Sequence, residues 1–119
     1  IENTIICIDA FRLDIICKNL ISNAIKYADP KKSDSFINIS AKVKKGLLNL
    51  VFEDNGIGID QEHQQKIFNM FYVTTHQNKG SGIGLYLVKE MINKLDGEIK
   101  VNSSNGNGSI FAITIPTLT

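Results

Sequence analysis

Alternating hydrophobic periods along the chain predict an α/β two-layer sandwich, with a mixed, mostly antiparallel sheet and about three helices on one face. Three observations lead there. Ala10 to Ala28 repeats apolar residues at helical spacing, and Phe36 to Val43 and Leu47 to Glu53 alternate at period two around a Lys-Lys-Gly turn. A second helical stretch, opening at Gly80 to Gly84, is followed by two more strands.

Taken in order, Thr4 to Ile8 reads as a short apolar strand, and Asp9 offers an N-cap to the helix after it. In that helix Leu13, Cys17, Leu20, Ile21, Ala24 and Ala28 mark a buried face, which Asp29-Pro30 closes. Lys31 to Ser35 is a polar connection, and the hairpin that follows turns at Lys44-Lys45-Gly46. Ile59 to Met70 carries a short helical stretch. The polar run Thr74 to Lys79 has neither period and predicts a mobile loop. Beyond it, Leu85, Val88, Met91, Ile92 and Leu95 fit a 3.6 period, and Gly97 stops that helix. Strands Glu98 to Val101 and Ser109 to Ile115 flank the turn Asn102 to Gly108, and Pro116 ends the sheet.

At 119 residues and 43% hydrophobic content, residues 1–119 are expected to form one soluble domain with a real core. Thirteen basic residues against twelve acidic give a formal charge of +1. Such a balance provides no field for nucleic acid or an anionic membrane, so neither is an expected partner. Cys7 and Cys17 lie in apolar stretches without metal or redox spacing and read as reduced core filler. No apolar run approaches membrane-helix length, and the opening Ile1-Glu2-Asn3 suggests a piece of a longer protein.

Three separate stretches carry chemistry. On the first helix Arg12, Asn19, Asn23 and Lys26 fall within a stripe of roughly 60° beside the buried face. Amide oxygens can ligate a hard cation and a lysine can meet phosphate, although a solvated face accounts for the same pattern. Asp54-Asn55-Gly56-Ile57-Gly58 follows a strand and could be a plain tight turn, but a helical stretch rather than a returning strand comes next. The turn therefore leaves a carboxylate at a strand's C-terminal edge, where α/β folds place ligands. A carboxylate only accepts hydrogen bonds, which suits adenine's exocyclic amine and rejects guanine's carbonyl. Finally, Gly80-Ser81-Gly82-Ile83-Gly84 runs into a helix N-terminus, a natural anion site, although a hinge would look similar. Rossmann and P-loop spacings do not fit it.

In series these stretches resemble the catalytic ATP-binding domain of bacterial sensor histidine kinases, in the wider family of gyrase, Hsp90-type and mismatch-repair ATPases with the Bergerat-type fold. Asn19-Leu-Ile-Ser-Asn23-Ala-Ile-Lys26-Tyr27 is similar to the N box and Asp54-Asn-Gly56-Ile-Gly58-Ile59 to the G1 box. Ile67-Phe68-Asn69-Met70-Phe71-Tyr72 resembles the F box, Gly80-Ser81-Gly82-Ile83-Gly84-Leu85 the G2 box, and Gly106-Asn-Gly108-Ser109-Ile-Phe111 the terminal glycine motif. The resemblance spans about Asp9 to Pro116.

It implies that ATP and Mg²⁺ are the cofactors, with Asp54 on adenine, Asn23 on the metal and Lys26 facing phosphates. Tyr27, Gly56, Gly58, Ile59, Phe71, Lys79, Gly80, Ser81, Gly82, Ile83, Gly84, Leu85 and Ser109 would complete the nucleotide site, with Val73 to Lys79 as its lid. Hydrolytic relatives carry glutamate where Asn19 stands, and an amide cannot abstract a proton, so transfer is favoured over hydrolysis. Val73 stands where an arginine often follows, and Asn69 replaces a common glutamate. Neither histidine suits a phosphoacceptor: His63 reads as a surface helix residue and His76 as a loop residue.

The expected partners are accordingly a histidine-bearing dimerisation domain of the same parent and, through it, a response regulator. The domain would be cytoplasmic, with the parent a candidate membrane sensor. A degenerate nucleotide-binding or interaction module and an anti-sigma-type serine kinase are the competing readings.

Overall fold

Side chains alternate faces along a strand, so the pairing register decides what each face of a sheet collects. The computed structural model describes residues 5–72 and 82–118. Along the chain lie α1 (Ala10–Lys26), β1 (Ile37–Lys44), β2 (Leu47–Asp54), α2 (Gln61–Gln64), α3 (Gly84–Lys94), β3 (Glu98–Ser103) and β4 (Ser109–Pro116). The strands form one sheet in the order β1-β2-β4-β3, and every pairing among the described residues is antiparallel. The helices lie over one of its faces, as the two-layer expectation requires.

Directly opposed residues share a face, and the register stacks apolar rows beneath the helices. Leu48 pairs with Ile115; Leu50 with Ile113 and then Ile99; Phe52 with Phe111 and then Val101. Against them pack Ile16 and Leu20 of α1 and Val88 and Ile92 of α3, all buried. Each such side chain fully removed from water stabilises the fold by roughly 1.5–3 kcal/mol. The next row along the same face is polar: Asp54 pairs with Ser109, and Ser109 with Ser103.

Local chemistry sets the ends of the elements. Asp9, extended at φ −68° and ψ 99°, caps α1 by accepting from the Arg12 N–H at 3.1 Å. Lys45 and Gly46 turn the first hairpin with φ of 53° and 77°, the two left-handed residues of a type I′ turn. At the end of α3 the left-handed residue is Asp96, at φ 59°, rather than Gly97. The Asp96 N–H donates to the Asn93 carbonyl and the Gly97 N–H to the Ile92 carbonyl, closing a Schellman motif. Gly97 is required for room, since a Cβ there would lie 2.6 Å from the Thr114 carbonyl oxygen.

Four expectations change. Ile5–Ile8 forms no strand; Ile6 and Ile8 pack on the core, and the Cys7 carbonyl accepts from the Leu118 N–H at 2.8 Å. Cys7 is exposed rather than core filler, whereas Cys17 is half-buried and burial raises its thiol pKa. The helix expected across Ile59 to Met70 is regular only over Gln61–Gln64, and turns follow. In β1, Ile39, Ala41 and Val43 are in phase with the buried face, yet Ile39 is 50% and Val43 38% exposed, because the helices stop short of this strand. No helix among the described residues is long and apolar enough to cross a membrane.

Ile92 touches no solvent and also packs beside Gly97. Ile92→Ala is expected to lower unfolding free energy by about 2–5 kcal/mol, read as a reduced urea midpoint at unchanged m-value.

Candidate functional site

Three elements meet at the polar end of the core. Asn19 and Asn23 are half-buried on the edge of α1 that borders its buried face. The Asn19 amide nitrogen donates to the Ile15 carbonyl at 2.8 Å. Its oxygen lies 3.0 Å from the position a Cβ on Gly84 would occupy, so any larger residue there would have to displace the Asn19 side chain. Asn23 presents an amide oxygen, a donor atom of the kind that suits a hard cation, from the same edge. Lys26 is exposed in the last turn, and Tyr27 forms the C-cap, with burial raising its phenol pKa. Arg12, placed on the same edge by helical spacing, is instead engaged by its own cap residue, Asp9.

The Tyr27 carbonyl ties α1 to the turn after β2. It accepts the Ile57 N–H at 3.0 Å, and a Cβ on Gly56 would lie only 2.4 Å from it. Within that turn the Asp54 carboxylate accepts the Gly56 N–H at 2.9 Å. Burial pushes the Asp54 carboxyl above its ordinary 3.8, with Glu53 adding to the effect. The N–H groups of Gly56 and Ser109 and the Lys32 ammonium pull the other way. Because the folded pKa is raised, ionised Asp54 opposes folding at neutral pH, and that cost fades as pH falls through the folded value.

Beneath the turn, Ser103 organises a buried polar group. Its hydroxyl donates to the Gly108 carbonyl at 2.6 Å, receives the Ile59 N–H at 2.8 Å and lies 3.0 Å from the Ser109 hydroxyl. The Gln64 amide adds bonds to the Ile59 carbonyl at 2.8 Å and the Ser103 carbonyl at 2.7 Å. Gly58 is left-handed at φ 79°, and the Ile57 carbonyl accepts the Gly106 N–H at 2.7 Å. The two glycine-bearing loops are thus bonded backbone to backbone.

On the remaining side α3 begins at Gly84, and its N-cap, Ile83, makes no side-chain hydrogen bond to the first-turn N–H groups. Gly82 and Phe71 bracket the segment expected to form the lid, and the Phe71 N–H donates to the Gly82 carbonyl at 2.9 Å. Phe71 itself is 65% exposed, whereas Ile67 is buried and Phe68 meets Phe111 edge-on at 6.4 Å. Leu85 packs against the core. His63 is half-buried rather than a plain surface residue, with Nδ1 hydrogen-bonded to the Tyr72 hydroxyl. Val73, His76, Lys79, Gly80 and Ser81 lie outside the described residues.

A separate cleft of about 300 Å³ opens on the far flank of α1, lined by Ala24, Ile25, Ala28, Phe36 and Ile37 together with Asp54, Asn55 and Gly56. It shares the turn but none of Asn19, Asn23, Lys26 or Tyr27.

The sequence profile of the histidine kinase-, DNA gyrase B- and HSP90-like ATPases matches residues 8–119. The chain belongs to this family. Among its relatives, the sensor protein RprX of Bacteroides fragilis (strain YCH46) is 37% identical over 120 residues, 98% of this chain but 23% of RprX. The mycobacterial sensor histidine kinase MprB superposes with a TM-score of 0.78 at 25% identity, covering 92% of this chain and 72% of that one. Full-length ShkA, solved in complex with AMPPNP, gives a TM-score of 0.76 at 27% identity, with coverage of 91% and 22%. The chain therefore corresponds to the catalytic ATPase-type domain of sensor histidine kinases and spans less than a quarter of RprX.

Lys32, Ser103 and Gln64 stand in this neighbourhood without having been singled out in the sequence. All three act on backbone groups far along the chain, and nothing in local spacing signals such partners.

Ser103→Ala would leave the Ile59 N–H and the Gly108 carbonyl without their shared partner. It is expected to cost about 1–3 kcal/mol in chemical unfolding.

Proposed function

We propose that this domain binds Mg·ATP and passes the γ-phosphoryl group to a histidine on a helical dimerisation domain of its parent, which then serves a response regulator. The observation that carries the reading is the convergence on α1: Asn19 against Gly84 and the Tyr27 carbonyl on the Asp54 turn. Family membership and the AMPPNP complex of ShkA support it.

In this reading the Asp54 carboxylate accepts the exocyclic amine of adenine, Asn23 ligates Mg²⁺, and Lys26 and the start of α3 face the phosphates. Mg²⁺ held there by Asn23 would supply neutralisation of the charge at the phosphates. Asn19 offers an amide where a general base would have to stand, so water is poorly activated and ATP is retained for transfer. The chain supplies no nucleophile; its contribution is alignment of the γ-phosphoryl group with an incoming imidazole. A cytoplasmic placement, in a parent that senses at a membrane, belongs to the same proposal.

Mixing the domain with Mg·ATP labelled at the γ position and the cognate helical domain should transfer label to histidine, giving an acid-labile product. Asn23→Ala should weaken Mg-dependent ATP binding about 10- to 100-fold in calorimetry. Folded Asn23→Ala protein that labels its partner at the wild-type rate would remove Asn23 from the metal site.

The raised pKa of Asp54 gives a second expectation. ATP affinity should be full above that pKa and should decline as pH falls through it, beginning at a higher pH than an ordinary carboxylate allows. Asp54→Asn should bind ATP weakly and lose this dependence on pH.

A further inference from the structure

Lys32 lies half-exposed in the connection between α1 and β1, a polar stretch with no periodicity of its own. Its ammonium donates to the carbonyls of Asn55 and Gly106, each at 2.9 Å, with the Gly56 carbonyl at 3.5 Å. An ammonium group has three donors and no acceptor, and here it meets three carbonyl oxygens from two loops. Bonds of this charge-assisted kind are stronger than neutral ones.

The same loops are fastened a second way. The Asn55 side chain accepts the Phe36 N–H at 2.9 Å and donates to the Asp34 carbonyl at 2.7 Å. Gly106 N–H reaches the Ile57 carbonyl, so the α1–β1 connection, the Asp54 turn and the β3–β4 loop form one knot. Lys32 is the one cation that the described hydrogen bonds place on both the Asp54 turn and the β3–β4 loop.

We propose that Lys32 is a positioning residue for base recognition: by drawing the Asn55, Gly56 and Gly106 carbonyls onto one ammonium, it fixes the turn that aims the Asp54 carboxylate and so sets the preference for adenine. This rests on the ATP reading above. Lys32 also attracts the ionised form of Asp54, the form that can only accept. Loss of Lys32 loosens the base contact and leaves the metal and phosphate contacts of α1 and α3 in place.

The test is calorimetry of Mg·ATP and Mg·GTP on wild type, Lys32→Met and Lys32→Arg, each checked for folding by circular dichroism. Wild type should prefer ATP. Lys32→Met should raise the Kd for ATP about five- to tenfold and draw the ATP-to-GTP ratio toward unity, and Lys32→Arg should restore most of the preference. A purely structural fastener would lower the melting temperature without moving that ratio. Should Lys32→Met fail to fold, Lys32→Gln, which keeps one donor group without the charge, should show the same change at about threefold. Folded Lys32→Met or Lys32→Gln with wild-type ATP affinity and preference would overturn the role of Lys32 alone. Wild-type protein that binds no Mg·ATP would overturn the ATP reading and this inference with it.

Discussion

The register that turns Leu48, Leu50 and Phe52 toward the helices turns Asp54 the same way, because successive side chains on a strand alternate faces. A carboxylate is thereby carried to the rim of the core, where it loses part of its hydration. The cost shows as a raised pKa, offset in part by N–H groups from Gly56 and Ser109. The neighbours in its row, Ser109 and Ser103, continue the polar strip and bond the loops above it. Moving Asp54 by one residue along β2 would turn its side chain to the opposite face of the sheet.

Around that carboxylate, α1 serves as the common wall. Its buried stripe packs on the sheet, and the adjacent edge presents Asn19, Asn23 and Lys26. Glycines at Gly56 and Gly84 let two other backbones come within contact of this helix, one at its C-terminal carbonyl and one midway along it. The Ile57 N–H bond to the Tyr27 carbonyl and the close approach of Gly84 to Asn19 fix how the polar edge of this helix faces the two loops.

Much of this was legible in the sequence. The helical repeat through Leu13, Cys17 and Leu20 and the two hairpins follow from period alone, since burial of one face is what produces period, whereas Ile16, fully buried, was not among the residues of the expected stripe. Resemblance implied that the N box meets the two glycine motifs; in the structure the Asn19 side chain lies beside Gly84, and the Tyr27 carbonyl accepts from the turn after Asp54. Other features had no local signal. A strand over Thr4 to Ile8 was suggested by apolar residues, of which Ile6 and Ile8 prove to be packing contacts without a ladder. The left-handed end of α3 falls on Asp96, where glycine drew attention to the following position. Lys32 looked like one more solvated lysine because its acceptors lie 23 to 74 residues away.

The uncovered inner row of β1 has a bearing on behaviour in solution. Among the described residues β1 is an outer strand of the sheet, so one side of its backbone lacks a ladder partner, and Ile39, Ala41 and Val43 add an apolar surface beside it. Such a strand invites sheet-to-sheet growth between molecules. Lys42 and Lys44 alternate with the apolar residues, and Lys45 stands at the turn, so docking a second copy there would bring like charges together. Lysine at an edge strand is the residue type that opposes such growth, by repulsion and by its strong hydration.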